Sequence, residues 1–243
     1  MIDLMVSIAV IAVLIGLLLP SLASVHETAR RVVCQSNVRQ IGLGLVMYAN
    51  DHNGALAFSR FLPGPGVQSR APARIDKMLT LHVDARESQP GVPAWDGLGL
   101  LYNLSYLPAP KVFYCPSHRG DSPYSAYATE WGDSVGEIVC NYHFRGEGPL
   151  GVSPTARTRT TRNLWAIDPS QSSLIADGMQ IRSDYNHKVG VNFFRADMTV
   201  HWYNDPTGEL GDTLPLSKND PNPAAVEDCW REFDRSANDE GPR

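Results

Sequence analysis

The chain has 243 residues, 43% hydrophobic and 19% charged, with a mean hydropathy of −0.22, a composition that builds a core and leaves room for one globular domain on an anchor rather than two full domains. A net charge of −5 and an isoelectric point near 5.8 argue against nucleic acid as a partner, because phosphate binding relies on clustered Lys and Arg. The Arg157, Arg159 and Arg162 run, diluted by threonines, reads as a solvated loop.

The first element is MIDLMVSIAVIAVLIGLLLPSLASVHETARR, in which no side chain from Leu4 to Val25 is charged. At about 1.5 Å per residue such a helix spans roughly a 30 Å hydrocarbon core, so residues 1–25 are expected to form a transmembrane helix. Asp3 sits at the edge of that run. A buried carboxylate costs about 2.5–3.5 kcal/mol on insertion scales, so Asp3 requires either the interface or a partner. Arg30 and Arg31 follow the run and no basic residue precedes it, which by the positive-inside rule alone sets the remainder in the cytoplasm unless a basic leader lies upstream.

Residues 26–54 extend the helix. Cys34, Val38, Ile41, Leu45 and Tyr48 recur at alternating spacings of four and three and give one apolar stripe, with Arg31, Gln35, Arg39 and Gln40 mostly off it. The helix is expected to run to about Ala49, where Asn50, Asp51, Asn53 and Gly54 stop it, and to bend at Pro20, which lacks a backbone donor. Residues 55–110 are rich in Pro and Gly and read as a long excursion, with one short helix around Ile75 to Val83 and another in GLGLLYNLSYLP. From 111 to 204 short β-type runs follow, KVFYC, EIVCNYHF, NLWAI, SSLIAD, GVNFFRA and MTVHWY. They predict an α+β protein in which a small, mainly antiparallel sheet packs on the long helix. Residues 205–243 form a tail in which AVEDCWREF supplies one further helical turn.

Four cysteines, Cys34, Cys115, Cys140 and Cys229, allow three pairings in an oxidising compartment. Cys34 lies on the helix face that must meet the head, so a Cys34–Cys115 disulfide is expected first and Cys140–Cys229 then follows. Cys115-Pro-Ser-His118 and Cys140-Asn-Tyr-His143 are also two C-x2-H units, a spacing compatible with a Cys2His2 zinc site, but disulfides are the preferred reading and no metal is expected. His187, Asp197 and His201 resemble a catalytic cluster, yet the sequence around them reads more simply as two strands about an Ala196-Asp197-Met198 turn, with His187 bonding to that hairpin. Asp177-Gly178 reads as a turn. No G-x-S-x-G, H-E-x-x-H or phosphate-binding loop occurs, so neither an enzyme nor a cofactor is expected.

Ile2-Asp3-Leu4-Met5-Val6, the uncharged helix, Pro20 and the amphipathic extension together resemble the N-terminus of type IV pilins and type II secretion pseudopilins. ARRVVCQSNVRQIGLGLVMYANDHNG and VFYCPS resemble blocks of the pilin-like proteins of planctomycetes and related bacteria. NHKVGVNFFRADMTVHWYND is similar to their processing-associated H-x9-DG segment, with His187, Asn192, Asp197 and Trp202 in place, Met198 where the family has Gly and Thr199 where it has His. The resemblance implies a pilin-like fold and a membrane-anchored subunit of an envelope filament or a type II secretion-like assembly. It makes Asp3 and Pro20 assembly residues, and gives as partners other pilin or pseudopilin subunits, the inner membrane and a prepilin peptidase. The head would then lie in the periplasm on a single-pass anchor. The family's basic leader, cleavage-site Gly and usual first Phe do not precede Ile2, which a start assigned too late would explain. The alternative from a different class is a membrane-tethered periplasmic enzyme or carbohydrate-binding module.

Overall fold

The computed structural model of the protein describes residues 2–62, 74–84, 94–132, 136–149 and 162–239. Helix α1 runs unbroken over Ile2–Asp51, 50 residues and so roughly 75 Å long. It stops where Asn53 and Gly54 take positive φ values of 54° and 82° and the Gly54 N–H donates to Ala49 O at 2.7 Å. That is the left-handed closure which Asn and Gly tolerate better than other residues. The side chain of Pro20 lies outside the described residues, and α1 remains helical through it.

The head is built on a four-stranded antiparallel sheet of β3 (Tyr142–Phe144), β4 (Ser173–Asp177), β5 (Gly190–Arg195) and β6 (Val200–Asn204), paired in that order. Beside it β1 (Thr80–His82) and β2 (Ile138–Val139) form a two-stranded ribbon. Between them lie α2 (Gly99–Asn103) and the single turn α3 (Tyr124–Tyr127), and after the sheet come α4 (Glu209–Asp212) and α5 (Pro223–Asp239). Side chains alternate across a pleated strand, and here both faces are covered. Ile175 and Phe194 join Cys34, Val38, Ile41 and Leu45 of α1 in one core, whereas Ala176 and Phe193 join Val226, Trp230 and Phe233 of α5 in a second. This two-sided cover explains why β4 and β5 are buried at every position.

Several elements differ from expectation. Ile75–Lys77 is a 3-10 turn followed by strand β1 rather than a helix, and the KVFYC and NLWAI runs contain 3-10 turns, Pro110–Phe113 and Leu164–Ala166, rather than strands. Apolar runs this short fit a strand or a tight turn equally well, and tertiary context decides. EIVCNYHF breaks at Cys140 and Asn141 into β2 and β3, which belong to different sheets. The largest difference is α5: the expected single turn is a 17-residue helix. The Asn222 Oδ1 atom accepts the Ala225 N–H at 3.2 Å and caps it beside Pro223, both favourable at a helix start.

The close approach of α1 to β5 depends on Gly42, where an added Cβ would stand 2.3 Å from the ring of the fully buried Phe194. Alanine gains about 1 kcal/mol of helix propensity over glycine, but overpacking a filled core costs about 1–3 kcal/mol. The ring has no free space to enter, so Gly42→Ala is expected to destabilise the head by about 1–2 kcal/mol net. A lowered denaturant midpoint at unchanged slope, read on the full chain in detergent, checks this; a raised midpoint would mean that propensity wins.

Candidate functional site

Two features of α1 stand out, and they meet near Glu27. In the first half of the helix every described side chain from Leu4 to Gly16 is exposed, and the apolar surface continues to Leu19, Leu22 and Val25, the last 62% exposed. Among the described residues no helix is long and apolar enough to cross a membrane. The expected span includes 17, 18, 20, 21 and 23, whose side chains lie outside the described residues, as does that of Asp3.

The second half docks on the head, and its contact stripe begins earlier than the apolar residues suggest. Extending the four-and-three spacing backwards from Cys34 reaches Arg31 and Glu27. Arg31 is on the stripe, not off it: its guanidinium lies over the Trp202 ring at 3.5 Å from the centroid. The Glu27 Oε1 atom sits 2.8 Å from His187 Nδ1, and Ser117 Oγ donates to both Glu27 carboxylate oxygens at 3.0 and 3.1 Å. The other nitrogen of the same ring, Nε2, faces Cys115 Sγ at 3.6 Å. Cys34 Sγ donates to Asp177 Oδ1 at 2.9 Å and lies 3.4 Å from the Tyr142 hydroxyl. Asn192 closes the set, its backbone N–H donating to Asp177 Oδ2 at 2.8 Å.

Ligand-type atoms of Cys34, Cys115, Asp177 and His187 all lie within 4.8 Å of one another and all four residues are buried. Burial opposes charge on His187, but Cys115, Asp177 and Glu27 outweigh it and raise the imidazole to about 9. Burial likewise opposes the Cys115 thiolate, yet hydrogen bonds with Cys34 and His187 hold that thiol below its ordinary range. Burial first, and then Cys115 and Asp177, push Cys34 well above its own. Glu27 is penalised by burial too, but His187 and Ser117 hold its carboxyl below the usual range. The cluster runs from the partly exposed Glu27 through His187 and Cys115 to the buried Cys34 and Asp177. A cleft of about 550 Å³, lined by Glu27, Arg119, Arg182 and Lys188 among others, opens beside it.

The expected disulfides are absent: all four cysteines are free thiols. Cys34 and Cys115 are neighbours, as the helix face predicts, but each sulfur is engaged with a polar group, Asp177 for one and His187 for the other. Cys140 and Cys229 belong to the two separate cores on opposite faces of the sheet and are not partners. The two C-x2-H units do not converge either. Cys140 Sγ donates to Tyr142 O at 3.1 Å, His143 Nε2 donates to Ile75 O at 2.6 Å, and His118 Nδ1 is engaged by Asn186 Oδ1 at 2.8 Å.

His187 and Asp197 are also not together. They flank β5 at its two ends, roughly 20 Å apart at strand rise. Asp197 behaves as a turn residue, accepting the Thr199 N–H at 3.0 Å, and Met198 occupies the left-handed conformation with φ 68°. His187 does not bond to that turn; it joins Glu27 and Cys115. The motif positions His187 and Trp202 thus meet α1 directly, and Asn192 holds Asp177, which meets it at Cys34. Glu27 and Asp177 were invisible as site residues in the sequence, although Glu27 lay on a stripe that only needed extending by two steps.

The long helix packed on a small antiparallel sheet defines an α+β protein with a stalk-like N-terminal element. A family model described as "Protein of unknown function (DUF1559)" matches residues 23–58, the part of α1 that carries Glu27, Arg31 and Cys34 and the turn after it. No curated protein and no solved structure matches the chain.

Proposed function

We propose that the chain is a membrane-anchored, pilin-like or pseudopilin subunit of an envelope filament or a type II secretion-like assembly, with its head outside the inner membrane. The observation that carries this reading is α1: one continuous helix whose second half is buried on the head while its first half, Ser7 apart, exposes only apolar side chains from Leu4 to Ile15. Leaving that surface in water costs about 25 cal/mol per Å², so another phase must take it up, either lipid or packed copies of the same helix. In this mechanism the bilayer stores the subunit and the filament core replaces the lipid. Gly16, where an added Cβ would meet nothing within 4 Å, leaves room for a neighbouring helix.

The test uses Asp3→Ala. Insertion and head folding are expected to be unaffected, because residue 3 is remote from the head. Filament incorporation is expected to fail: the pilin resemblance pairs this acid with the N-terminal amine of a neighbouring subunit, and removing one member of such a buried charge pair costs about 3–5 kcal/mol at every subunit added. Full-length protein is expected with the inner membrane, and protein lacking residues 1–25 in the soluble fraction. A normal yield of sheared filaments from the Asp3→Ala strain would reject the assembly role and favour a simple tether.

A further inference from the structure

We propose that Cys34, Cys115, Asp177 and His187 form a closed, structural binding site for one zinc-class divalent ion that fastens α1 to the head. Two thiols, an imidazole nitrogen and a carboxylate oxygen lie within 4.8 Å of one another in a buried setting. Zinc takes such a mixture tetrahedrally, with bonds of about 2.3 Å to sulfur and 2.0–2.2 Å to nitrogen or oxygen, so neighbouring donors stand roughly 3.3–3.8 Å apart. The Cys115 Sγ to His187 Nε2 separation, 3.6 Å, is already such an edge. The shorter Cys34 Sγ to Asp177 Oδ1 separation of 2.9 Å is that of an S–H···O bond, which opens when the thiol proton leaves and the thiolate turns to the ion.

The surrounding shell is what distinguishes this cluster from a chance meeting of polar side chains. A metal-binding imidazole usually gives its second N–H to a carboxylate, which fixes the tautomer and aims the ring. Here Nδ1 is held by Glu27 at 2.8 Å, leaving Nε2 directed at the thiols. Glu27 is itself fixed by the Ser117 hydroxyl. Asp177 has its outer oxygen occupied by the Asn192 N–H, so Oδ1 is the oxygen left for the ion. The Ser117 N–H donates to Cys115 Sγ at 3.4 Å, as backbone amides do toward ligating sulfurs. The four donors come from α1, the segment before Ser117, the end of β4 and the loop leading into β5, so a single ion crosslinks four separate parts of the chain. No donor is exposed, which suits a structural ion rather than a catalytic one with an open position.

The experiment is metal analysis of the full chain in detergent, purified without added metal, then stripped with chelator and reloaded with zinc or with cobalt. One equivalent per chain is expected, with cobalt giving the visible bands of a tetrahedral thiolate centre and chelation lowering the melting temperature. Cys115→Ser should abolish stoichiometric binding, and Cys229→Ser should not change it. Should Cys115→Ser fail to fold, Glu27→Gln keeps the question open to test: it alters only the partly exposed outer carboxylate and is expected to weaken zinc binding about 10- to 100-fold. A folded, metal-free protein with a mapped Cys34–Cys115 disulfide would overturn the proposal, as would undiminished zinc binding by both Cys115→Ser and Glu27→Gln. The outcome is independent of whether the chain assembles into filaments.

Discussion

Arg145→Met is expected to destabilise the head by about 3 kcal/mol and to release α5 before the rest of the fold. The Arg145 side chain is 5% exposed; Nη1 donates to Asp234 Oδ2 at 2.6 Å, Nη2 reaches Glu227 Oε1 at 3.5 Å, and the guanidinium lies over the Trp230 ring. Asp234 also accepts the Ser173 N–H at 2.9 Å, so this one arginine holds the carboxylate that ties α5 to the start of β4. Methionine preserves much of the packing volume and removes the charge, leaving two acidic side chains facing each other over an apolar ring. Breaking a buried pair from one side costs about 3–5 kcal/mol, and partial exposure of both acids places the effect at the lower end. Glu227 is already raised by burial against the pull of Arg145, and it would rise further. Hydrogen exchange provides the check: amides of Pro223–Asp239 should lose protection while those of α1 below Cys34 keep theirs. Equal protection in wild type and variant would mean that apolar contacts alone hold α5.

The second large effect is a loss of stability in mild acid, traceable to His143. This residue is fully buried on the α5 face of β3, edge-on to Trp230. Its Nε2–H donates to Ile75 O at 2.6 Å and its Nδ1 accepts the Met179 N–H at 3.2 Å, so the neutral ring satisfies both nitrogens in a single tautomer. A second proton would face a donor. Burial lowers the ring to about 4 from 6.5, against smaller upward contributions from the Ile75 carbonyl and from Asp76, which is paired with Arg74 at 2.8 Å. The folded value lies below the unfolded one, so the unfolded chain binds the extra proton first. Stability is therefore intact above about pH 6.5, falls as pH drops from there to about 4, and levels off below. At 1.36 kcal/mol per unit the loss approaches about 3 kcal/mol. Buried Asp96 and Asp184 and half-buried Glu227, all raised, act in the opposite sense, so the measurement is the difference between wild type and His143→Gln across that range. Parallel pH profiles for the two would refute the assignment.

How far the sequence reveals this molecule depends on the length scale of each signal. Helix α1 was legible because its apolar stripe persists over many turns, and strands β4, β5 and β6 because β-forming runs there are bounded by turn residues. Helix α5 was underestimated: Val226, Cys229, Trp230 and Phe233 follow helical spacing, but an acidic and asparagine-rich setting disguised it. The 3-10 turns Pro110–Phe113 and Leu164–Ala166 could not be told from strands by pattern. The cluster illustrates a different limit. Cys34 and Cys115 could be brought together by reasoning about one helix face, yet their chemistry depends on Asp177 and His187, contributed by β4 and the loop before β5. Only the register of β4 against β5 sets Asp177 opposite Asn192 and near the helix, and no local pattern encodes that.

The unbroken course of α1 has a mechanical meaning. A pull on its apolar end travels along a rod of about 75 Å whose helical course is unbroken, the bond that Pro20 cannot donate being its one gap before the head, and the first anchorage it meets there is Glu27 on His187 and Arg31 on Trp202. Those contacts lie along the helix axis and carry the load in shear together with Cys34, Val38 and Ile41 behind them, rather than peeling open one at a time. The lifetime of the head under tension is then governed by the rate of rupturing this row, and not by the equilibrium stability of the sheet.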